Sequence, residues 1–598
     1  LVAMKSNYLS HAGTHTSACG TTAYVGGLGD ESFRNSVFVC EPIGHLVTRS
    51  VLSRDRVRLT ASRAREKSDF LASTDTWFRP SSLATGPDGA LYLADMYRLW
   101  VEHPKFLPPE IAARLDWRAG DDRGRVYRIL PSGDKRASYE PANSDESLVE
   151  LLEDENGWRR FLGQRLLVER QQGGLSEAVR ERLSHSSAST RLHALWTLDG
   201  LGTLTNEDVI TLCRDEEIHC RLAALRLAKD RLNESDVLDV VLELANDASE
   251  RVRFAVALTL SRSDAPRSTD VLVDLAITDG LNPAFADGLL TAMKDRAGEV
   301  LGRVVADDSF LTAGNAGGID LVSRLASIVG ARGDKRELSD LFKLIGAERE
   351  TRWWQSIAIA GVGNGLPRYR GEMGRLTLTR LIASPPEGLE DAVARLDSAF
   401  QRNVAVADDA SKELADRAAA IELMGYLPID SVAASFERLL SNDQPAQIQK
   451  ACLEGLKRNG STAAAKIVLD RWGQLGPQIR GSAIEFLVRR QESTRMMLHA
   501  MSGGRLSPSS LGIDQRVRLL KHSDTEIRTL ASELFGGAVS SNRQQVAKDY
   551  ERSLTLQADV ARGNTVFNRV CANCHRVDGK GFETGPDLSD VRNRSKPA

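Results

Sequence analysis

The feature that most constrains the fold of this chain is a repeat of amphipathic helices in its middle. The segments that begin at Arg191, Arg221 and Arg253 align with one another at offsets of 30 and 32 residues. Asp215 and Asp247 each stand six residues before a repeat arginine. A helix pair of this length cannot bury its apolar face alone, so successive pairs must stack. The repeat predicts an α-solenoid in which these aspartates and arginines are structural.

The helical pattern extends over residues 143–547, and later copies of the repeat begin at Ile448, Ile479 and Ile527. The pattern resembles HEAT repeats, in which an aspartate in the turn and an arginine in the second helix commonly form a ladder. Gln449 replaces the arginine in one copy, and the stretch from Val300 to Asn403 fits poorly, so we expect irregular or capping copies there. Trp353 and Trp354 in that stretch are either an exposed patch for a partner or, as we favour, core residues.

The length and the charge of the chain limit its domain organisation and its possible partners. A chain of 598 residues is too long for one hydrophobic core, so it must be multidomain. Its 78 basic side chains are balanced by 81 acidic ones, which argues against nucleic acid as a partner. We find no apolar run of about 20 residues, the length that spans a bilayer. Both ends of the sequence look cut, so we expect a fragment whose missing leader says nothing about export.

The region from Ser6 to Pro131 reads as short β segments separated by turns. Gly86-Pro87-Asp88-Gly89 is a turn signal, and the next six residues, 90–95, alternate as a strand does. A second strand is predicted over 126–130 after another glycine-rich turn. This spacing suits a β-sandwich or the blades of a β-propeller, and periodicity alone does not choose between them.

Several ordered motifs in this region look like the closing blades of the putative membrane-bound dehydrogenase β-propeller of planctomycetes and verrucomicrobia, a relative of the glucose/sorbosone dehydrogenases. The motifs are Phe38-Val39-Cys40-Glu41-Pro42, Trp77-Phe78-Arg79-Pro80, Gly86 to Tyr92, Asp95-Met96-Tyr97-Arg98, Glu102-His103-Pro104 and Gly124 to Ile129. The resemblance implies a six-bladed propeller whose earlier blades precede Leu1, a sugar or alcohol as substrate, and a quinone cofactor in the missing part.

The resemblance supplies no catalytic residue, because the catalytic part is expected upstream of this fragment. His103 and Asp95 are candidates to line a site. A packed histidine and a turn aspartate are the roles we favour for them.

The motif Cys571-Ala572-Asn573-Cys574-His575 carries the clearest chemistry in the chain. Two thiols three positions apart can each add to one vinyl group of a single haem, and the adjacent histidine is then held beneath the iron as proximal ligand. Gly563 and Phe567 lie four residues apart on one helical face, where a second helix can cross closely. A Cys/His metal site without haem is disfavoured, since structural zinc needs four ligands.

The segment from Asp559 to about Val591 resembles class I cytochromes c. In that class a proline at the place of Pro586 offers its carbonyl to the other ring nitrogen of the haem histidine, which here is His575. The class supplies its distal ligand as a methionine further along, and neither Met nor His follows His575 in this chain. We therefore expect the start of a truncated all-α cytochrome c domain.

The remaining cysteines fall into two groups. Cys213, Cys220 and Cys452 stand in helical patterns, where a thiol serves as a small apolar side chain. Cys19 and Cys40 stand in strand-like sequence and either pair as a disulfide in an oxidising compartment or remain thiols.

The sequence thus predicts three regions: the last blades of a β-propeller at 1–132, a HEAT-like α-solenoid at 143–547, and the start of a cytochrome c domain at 556–598. The predicted function is haem c-dependent electron transfer from a sugar or alcohol dehydrogenase to a redox partner protein. The alternative is a haem-bearing scaffold without enzymatic activity, which binds a glycan or a partner and offers the solenoid as a docking surface. Haem c attachment implies a periplasmic or otherwise exported protein.

Overall fold

The computed structural model describes residues 17–29, 31–34, 36–101, 105, 109–133, 139–293, 295–313, 316–347, 352–535, 550, 557, 559–572, 575–581 and 588–589. Two compact units are present. One comprises His15–Val432 and the other contains Ala433–Ala598.

The first unit opens with two antiparallel sheets. One contains β1 (Cys19–Ala23), β2 (Ser36–Glu41), β3 (Leu46–Asp55), β4 (Arg58–Arg63) and β5 (Leu71–Ala72), in the order β1-β2-β3-β4 with β5 also paired to β3. The other has the order β6 (Pro80–Thr85), β7 (Leu91–Asp95) and β8 (Arg125–Ile129). Short helices α1 (Glu31–Arg34) and α2 (Pro109–Ala112) lie in the connections. The two strands predicted from alternation are confirmed to within one residue at each end.

A single hydrophobic core joins the two sheets, formed by Tyr24, Phe38, Cys40, Val47, Phe78, Leu83, Leu91 and Leu93. The sheets approach each other at Gly20, a bulge residue of β1 with φ of +57°, where an added Cβ would lie 2.7 Å from the Ser81 carbonyl oxygen. The predicted turn forms as expected, since Gly89 N donates to Gly86 O at 3.0 Å. The described strands show two packed sheets, and they do not show a propeller.

The rest of this unit is helical. Its helices are α3 (Asp145–Glu150), α4 (Gly157–Glu169), α5 (Ser176–Glu181), α6 (Ala188–Gly200), α7 (Asn206–Cys213), α8 (Ile218–Ala228), α9 (Ser235–Glu243), α10 (Glu250–Leu260), α11 (Pro266–Thr278), α12 (Pro283–Ala292), α13 (Ala297–Val304), α14 (Asp308–Ala313), α15 (Ala316–Arg332), α16 (Lys335–Ala347), α17 (Trp353–Gly365), α18 (Leu378–Ala383), α19 (Glu390–Asp408) and α20 (Leu414–Met424). The next helix, α21 (Ile429–Leu439), crosses the boundary between the units. Asn156 Nδ2 donates to Gly86 O at 3.0 Å and so ties α4 to the sheets.

The predicted ladder is confirmed in the regular repeats. The ion pairs are Arg191–Asp215 at 2.7 Å, Arg221–Asp247 at 2.8 Å and Arg253–Asp279 at 2.6 Å. Each arginine also donates to the backbone carbonyls five and six residues before it, which closes the turn between the two helices of a repeat. The side chains of each pair are largely buried, and each ion pair links two neighbouring repeats, as the sequence indicates.

An additional copy of the repeat precedes those that the sequence shows. Arg160 stands 31 residues before Arg191 and donates to the carbonyls of Asp154 and Glu155 at 2.6 and 2.9 Å. The copy has the same spacing as the others, since Asp154 stands six residues before Arg160. Its arginine lacks a ladder aspartate, because His185 stands six residues before Arg191, and Arg160 Nε has no hydrogen-bond acceptor among the described residues.

The irregular stretch between Val300 and Asn403 packs its helices through glycine. Helices α15 and α17 approach so closely that a Cβ at Gly361 would lie 2.5 Å from the Ser323 carbonyl oxygen. This contact between backbones replaces the side-chain ladder and explains the poor fit to the repeat. Trp354 is fully buried, so its predicted core position is confirmed.

The second unit continues with α22 (Ala446–Asn459), α23 (Thr462–Asp470), α24 (Pro477–Leu487), α25 (Gln491–Ser502), α26 (Ile513–Leu520), α27 (Thr525–Phe535) and α28 (Val560–Val566). In α22, Gln449 Nε2 donates to Leu440 O at 3.2 Å and to Ser441 O at 2.8 Å. The amide therefore closes the turn as the ladder arginines do. Unlike arginine, it makes no ion pair to the next repeat.

Candidate functional site

The haem motif begins at the end of a short helix. Asp559 caps α28 by accepting a hydrogen bond from Arg562 N at 2.9 Å, and the helix continues as a π-helical turn over Phe567–Cys571. Ala572 N donates to Phe567 O at 2.9 Å and ends that turn. Cys571 is thus the last residue of a helix, and its side chain is partly exposed.

A backbone hydrogen bond joins the first cysteine of the motif to its histidine. His575 N donates to Cys571 O at 2.9 Å, which holds the backbones of these two residues together. Both side chains are half-buried. A covalently attached, histidine-ligated haem requires a thiol and an imidazole on backbone positions close to each other, as these are.

A tight hairpin follows the motif. Strands β9 (Arg576–Val577) and β10 (Lys580–Gly581) pair around Asp578 and Gly579, both of which have positive φ, as a type I′ turn requires. Leu588 N donates to Arg576 O at 2.8 Å, so the chain returns to the motif. Leu588 therefore lies beside the residue that follows His575.

The described residues fit a haem. The face of α28 and of the π-helical turn exposes Val566 and Val570, of which 41% and 60% are accessible, and no described atom lies within 4 Å of a Cβ built on Gly563. An exposed apolar surface beside a thiol and an imidazole matches the apolar macrocycle, its vinyl groups and its iron. Two further predicted site residues, Cys574 and Pro586, lie outside the described residues.

Neither a metal-binding cluster of side chains nor a membrane-spanning helix is found in the part of the chain that the structure describes. No group of three or more His, Cys, Asp or Glu side chains there could hold a metal ion. Nor is any helix of that part long and apolar enough to cross a membrane.

Asp95 is one of the two candidate site residues in the β region, and its side chain binds backbone N–H groups. Its Oδ1 accepts hydrogen bonds from Arg79 N at 2.7 Å and from Tyr97 N at 2.9 Å, which is the turn role that we favour for it. The other candidate, His103, lies outside the described residues. No sequence pattern predicts that Arg79 is buried. Its guanidinium donates to Pro42 O at 2.9 Å and to Leu99 O at 3.0 Å.

Cys19 and Cys40 are direct register partners in the antiparallel pair of β1 and β2. Cα atoms of such partners lie about 4.5–5.5 Å apart, within the range of a disulfide. Both are thiols in this structure, and Cys19 Sγ contacts Pro80 O at 3.9 Å. Burial and, to a smaller extent, the neighbouring Cys19 together raise the pKa of Cys40 to about 12.

Three family models match parts of the chain. A domain of unknown function, DUF7133, matches residues 1–133, HEAT repeats match residues 206–282, and cytochrome c matches residues 560–598. The chain carries a C-terminal cytochrome c domain. It also contains HEAT repeats, and neither finding supports a relationship to propeller dehydrogenases or a source organism.

No curated protein matches this chain. A solved structure described as the crystal structure of an engineered protein is similar at 15% identity, covering 67% of this chain and 100% of its own, with a TM-score of 0.22. A score this low carries no argument about the fold.

Proposed function

We propose that this protein is an exported electron-transfer protein that binds one haem c through Cys571, Cys574 and His575. The observation that carries the proposal is the match of residues 560–598 to cytochrome c, within which the Cys-x-x-Cys-His motif lies. When bound, haem c supplies an iron centre that gains or loses one electron.

Each residue of the motif has one task in this proposal. Cys571 and Cys574 would hold the macrocycle covalently, and His575 would bind its iron. The Pro586 carbonyl accepts a hydrogen bond from the second ring nitrogen of His575, which fixes the imidazole ring. The hydrogen bond from Leu588 N to Arg576 O supports this proposal, because it holds Leu588, two residues after Pro586 in the sequence, beside the residue that follows His575.

The proposed domains are a β-propeller portion at 1–132, a HEAT-like solenoid at 143–547 and the cytochrome c domain at 556–598. The propeller portion belongs to a dehydrogenase that oxidises a sugar or alcohol, and a redox partner protein receives the electrons. This assignment rests on the resemblance of the ordered motifs between Phe38 and Ile129, and the antiparallel pairing of the strands is what a propeller blade also has. No described residue is assigned to a quinone cofactor.

A second candidate is a haem-bearing scaffold without enzymatic activity. The ladder of buried ion pairs favours it, because it makes the solenoid a long, ordered surface suited to docking a partner. Under this candidate the haem exchanges electrons with a docked protein and no small substrate is oxidised.

A redox titration tests the proposal. The exported chain, made with haem-ligation machinery, should show absorbance bands that change reversibly with the uptake of one electron per chain. A chain without redox-active absorbance would refute electron transfer. Adding a panel of sugars and alcohols to the oxidised chain then separates the two candidates, since only a dehydrogenase reduces the haem with one of them.

A further inference from the structure

Strands β3 and β4 form a hairpin whose outer strand is exposed along its whole length. All six residues of β4 are exposed, and Leu59 keeps 53% of its surface accessible. Among the described residues β4 pairs with β3 alone, so its other edge presents N–H and C=O groups without a strand partner. An edge of this kind is a template for a further strand.

Hydrogen-bond alternation identifies which backbone groups face outward. Ala64 N donates to Arg49 O across the hairpin at 3.0 Å, so the backbone of Ala64 faces inward. Because successive residues of a strand alternate, the other even-numbered residues of β4 also bond inward. Leu59, Ala61 and Arg63 therefore direct their N–H and C=O groups to the open edge.

The hairpin is also strongly basic. From Arg54 to Asp69, six basic side chains stand against three acidic ones. Arg63 lies 3.4 Å from Asp69 and Arg56 lies 4.0 Å from Glu250. No ion pair within 4.0 Å is found among the described residues for Arg54, Arg58 and Arg65.

Like charges meet near the tip of the hairpin. Arg251, in the first turn of α10, has its pKa lowered mainly by burial and additionally by the positive charge of Arg54. The acidic side chains Glu217 and Glu250 lie near this point and offset the repulsion only in part. A bound carboxylate would relieve it.

We propose that the outer edge of β4 docks an extended, acidic segment of a partner protein. The segment adds a strand to the sheet by bonding to the backbone of Leu59, Ala61 and Arg63, and its carboxylates pair with arginines of the hairpin. The backbone bonds supply affinity and the arginines supply selectivity for acidic sequences. This inference is independent of the haem proposal.

Peptide binding to the full chain tests the docking edge. The probe is a fluorescent hexapeptide, Glu-Val-Thr-Ile-Thr-Glu, and its comparison peptides replace both glutamates by lysine or methylate the central amide nitrogens. Ala61→Pro removes one outward N–H while leaving the inward bonds of β4 intact. Ala61→Thr at the same position keeps that N–H and suits a strand, so it is the matched control.

The acidic peptide should bind the unmodified chain and Ala61→Thr equally, and Ala61→Pro about tenfold more weakly. The lysine and methylated peptides should also bind about tenfold more weakly or not at all. Binding of the methylated peptide is measured on the unmodified chain. It therefore tests strand pairing even if Ala61→Pro perturbs the hairpin. Absence of binding would overturn the proposal. The proposal would also be overturned if the methylated and plain peptides bound equally and polyphosphate bound as well. That result would show that the hairpin attracts polyanions without pairing with a strand.

Discussion

Cys19 and Cys40 face each other across β1 and β2, and both are thiols with raised pKa. We predict that they form a disulfide when the protein is exported, through loss of two electrons and two protons to an oxidant of that compartment. The bond would stabilise the β region by about 2–3 kcal/mol. The exported protein is denatured without reductant and labelled with a thiol reagent. Labelling of Cys213, Cys220 and Cys452 but not of Cys19 and Cys40 is expected, and labelling of all five would contradict the disulfide.

His193 is predicted to make stability depend on pH. Burial and the nearby charge of Arg160 lower its pKa to about 4 from the ordinary value of 6.5, while its Nδ1 lies 2.7 Å from Gln164 Oε1. The unfolded chain therefore binds more protons than the folded chain between these values. Stability is full above pH 6.5 and falls as pH drops toward 4, by up to about 3 kcal/mol.

Denaturant unfolding at pH 7 and pH 4.5 measures this effect. His193→Gln removes the titrating group and keeps a polar side chain, so its loss of stability between the two pH values should be smaller than that of the unmodified chain. Equal losses would show that His193 does not carry the dependence.

At the level of single residues, the sequence predicts the chemical role of a side chain better than it predicts which groups surround that side chain in the fold. The spacing of Cys571 and His575 suffices to predict a haem motif, because covalent attachment depends on local spacing. The tasks of Asp95 and Gln449 depend on which backbone groups the fold brings near them, and no local pattern encodes that. The sequence therefore leaves two roles open for Asp95, lining a site or forming a turn. Its hydrogen bonds in the structure are those of the turn role.

At the level of elements, the ladder should carry measurable stability. Arg191 and Asp215 are both almost fully buried, and Arg191 also donates to the carbonyls of His185 and Ser186. Arg191→Ala leaves the buried Asp215 carboxylate without its cation, with Glu217 N still donating to it, and leaves two carbonyls without their donor, which should cost about 3–5 kcal/mol. Arg226→Ala, an exposed position one repeat later, should cost at most about 0.5 kcal/mol. Thermal and denaturant unfolding of the two variants measures the difference, and similar losses would argue against the ladder.

Helices and strands with a regular residue pattern could be predicted from the sequence. Helices that pack through irregular contacts could not. The strands predicted over 90–95 and 126–130 and the regular HEAT repeats follow alternation or an Asp/Arg pattern. Helices α15 and α17 instead pack through close glycine contacts such as Gly361 on Ser323, which leave no repeating side-chain signature.

At the level of the whole molecule, the chain combines β structure, HEAT repeats and a cytochrome c domain. The sequence predicts this order because each part has its own period or motif. It does not determine whether the sheets complete a propeller, since closure depends on how blades meet around an axis rather than on any one strand.

Covalent haem attachment is the central claim of this account, and in-gel haem staining tests it most directly. The exported chain, made with haem-ligation machinery, should give a stained band at its own mass after denaturation. The paired substitution Cys571→Ala with Cys574→Ala should abolish the stain. The matched substitution Cys213→Ala with Cys220→Ala should retain it. A denatured, exported chain without stain, or a Cys571→Ala/Cys574→Ala chain that still stains, would contradict the account.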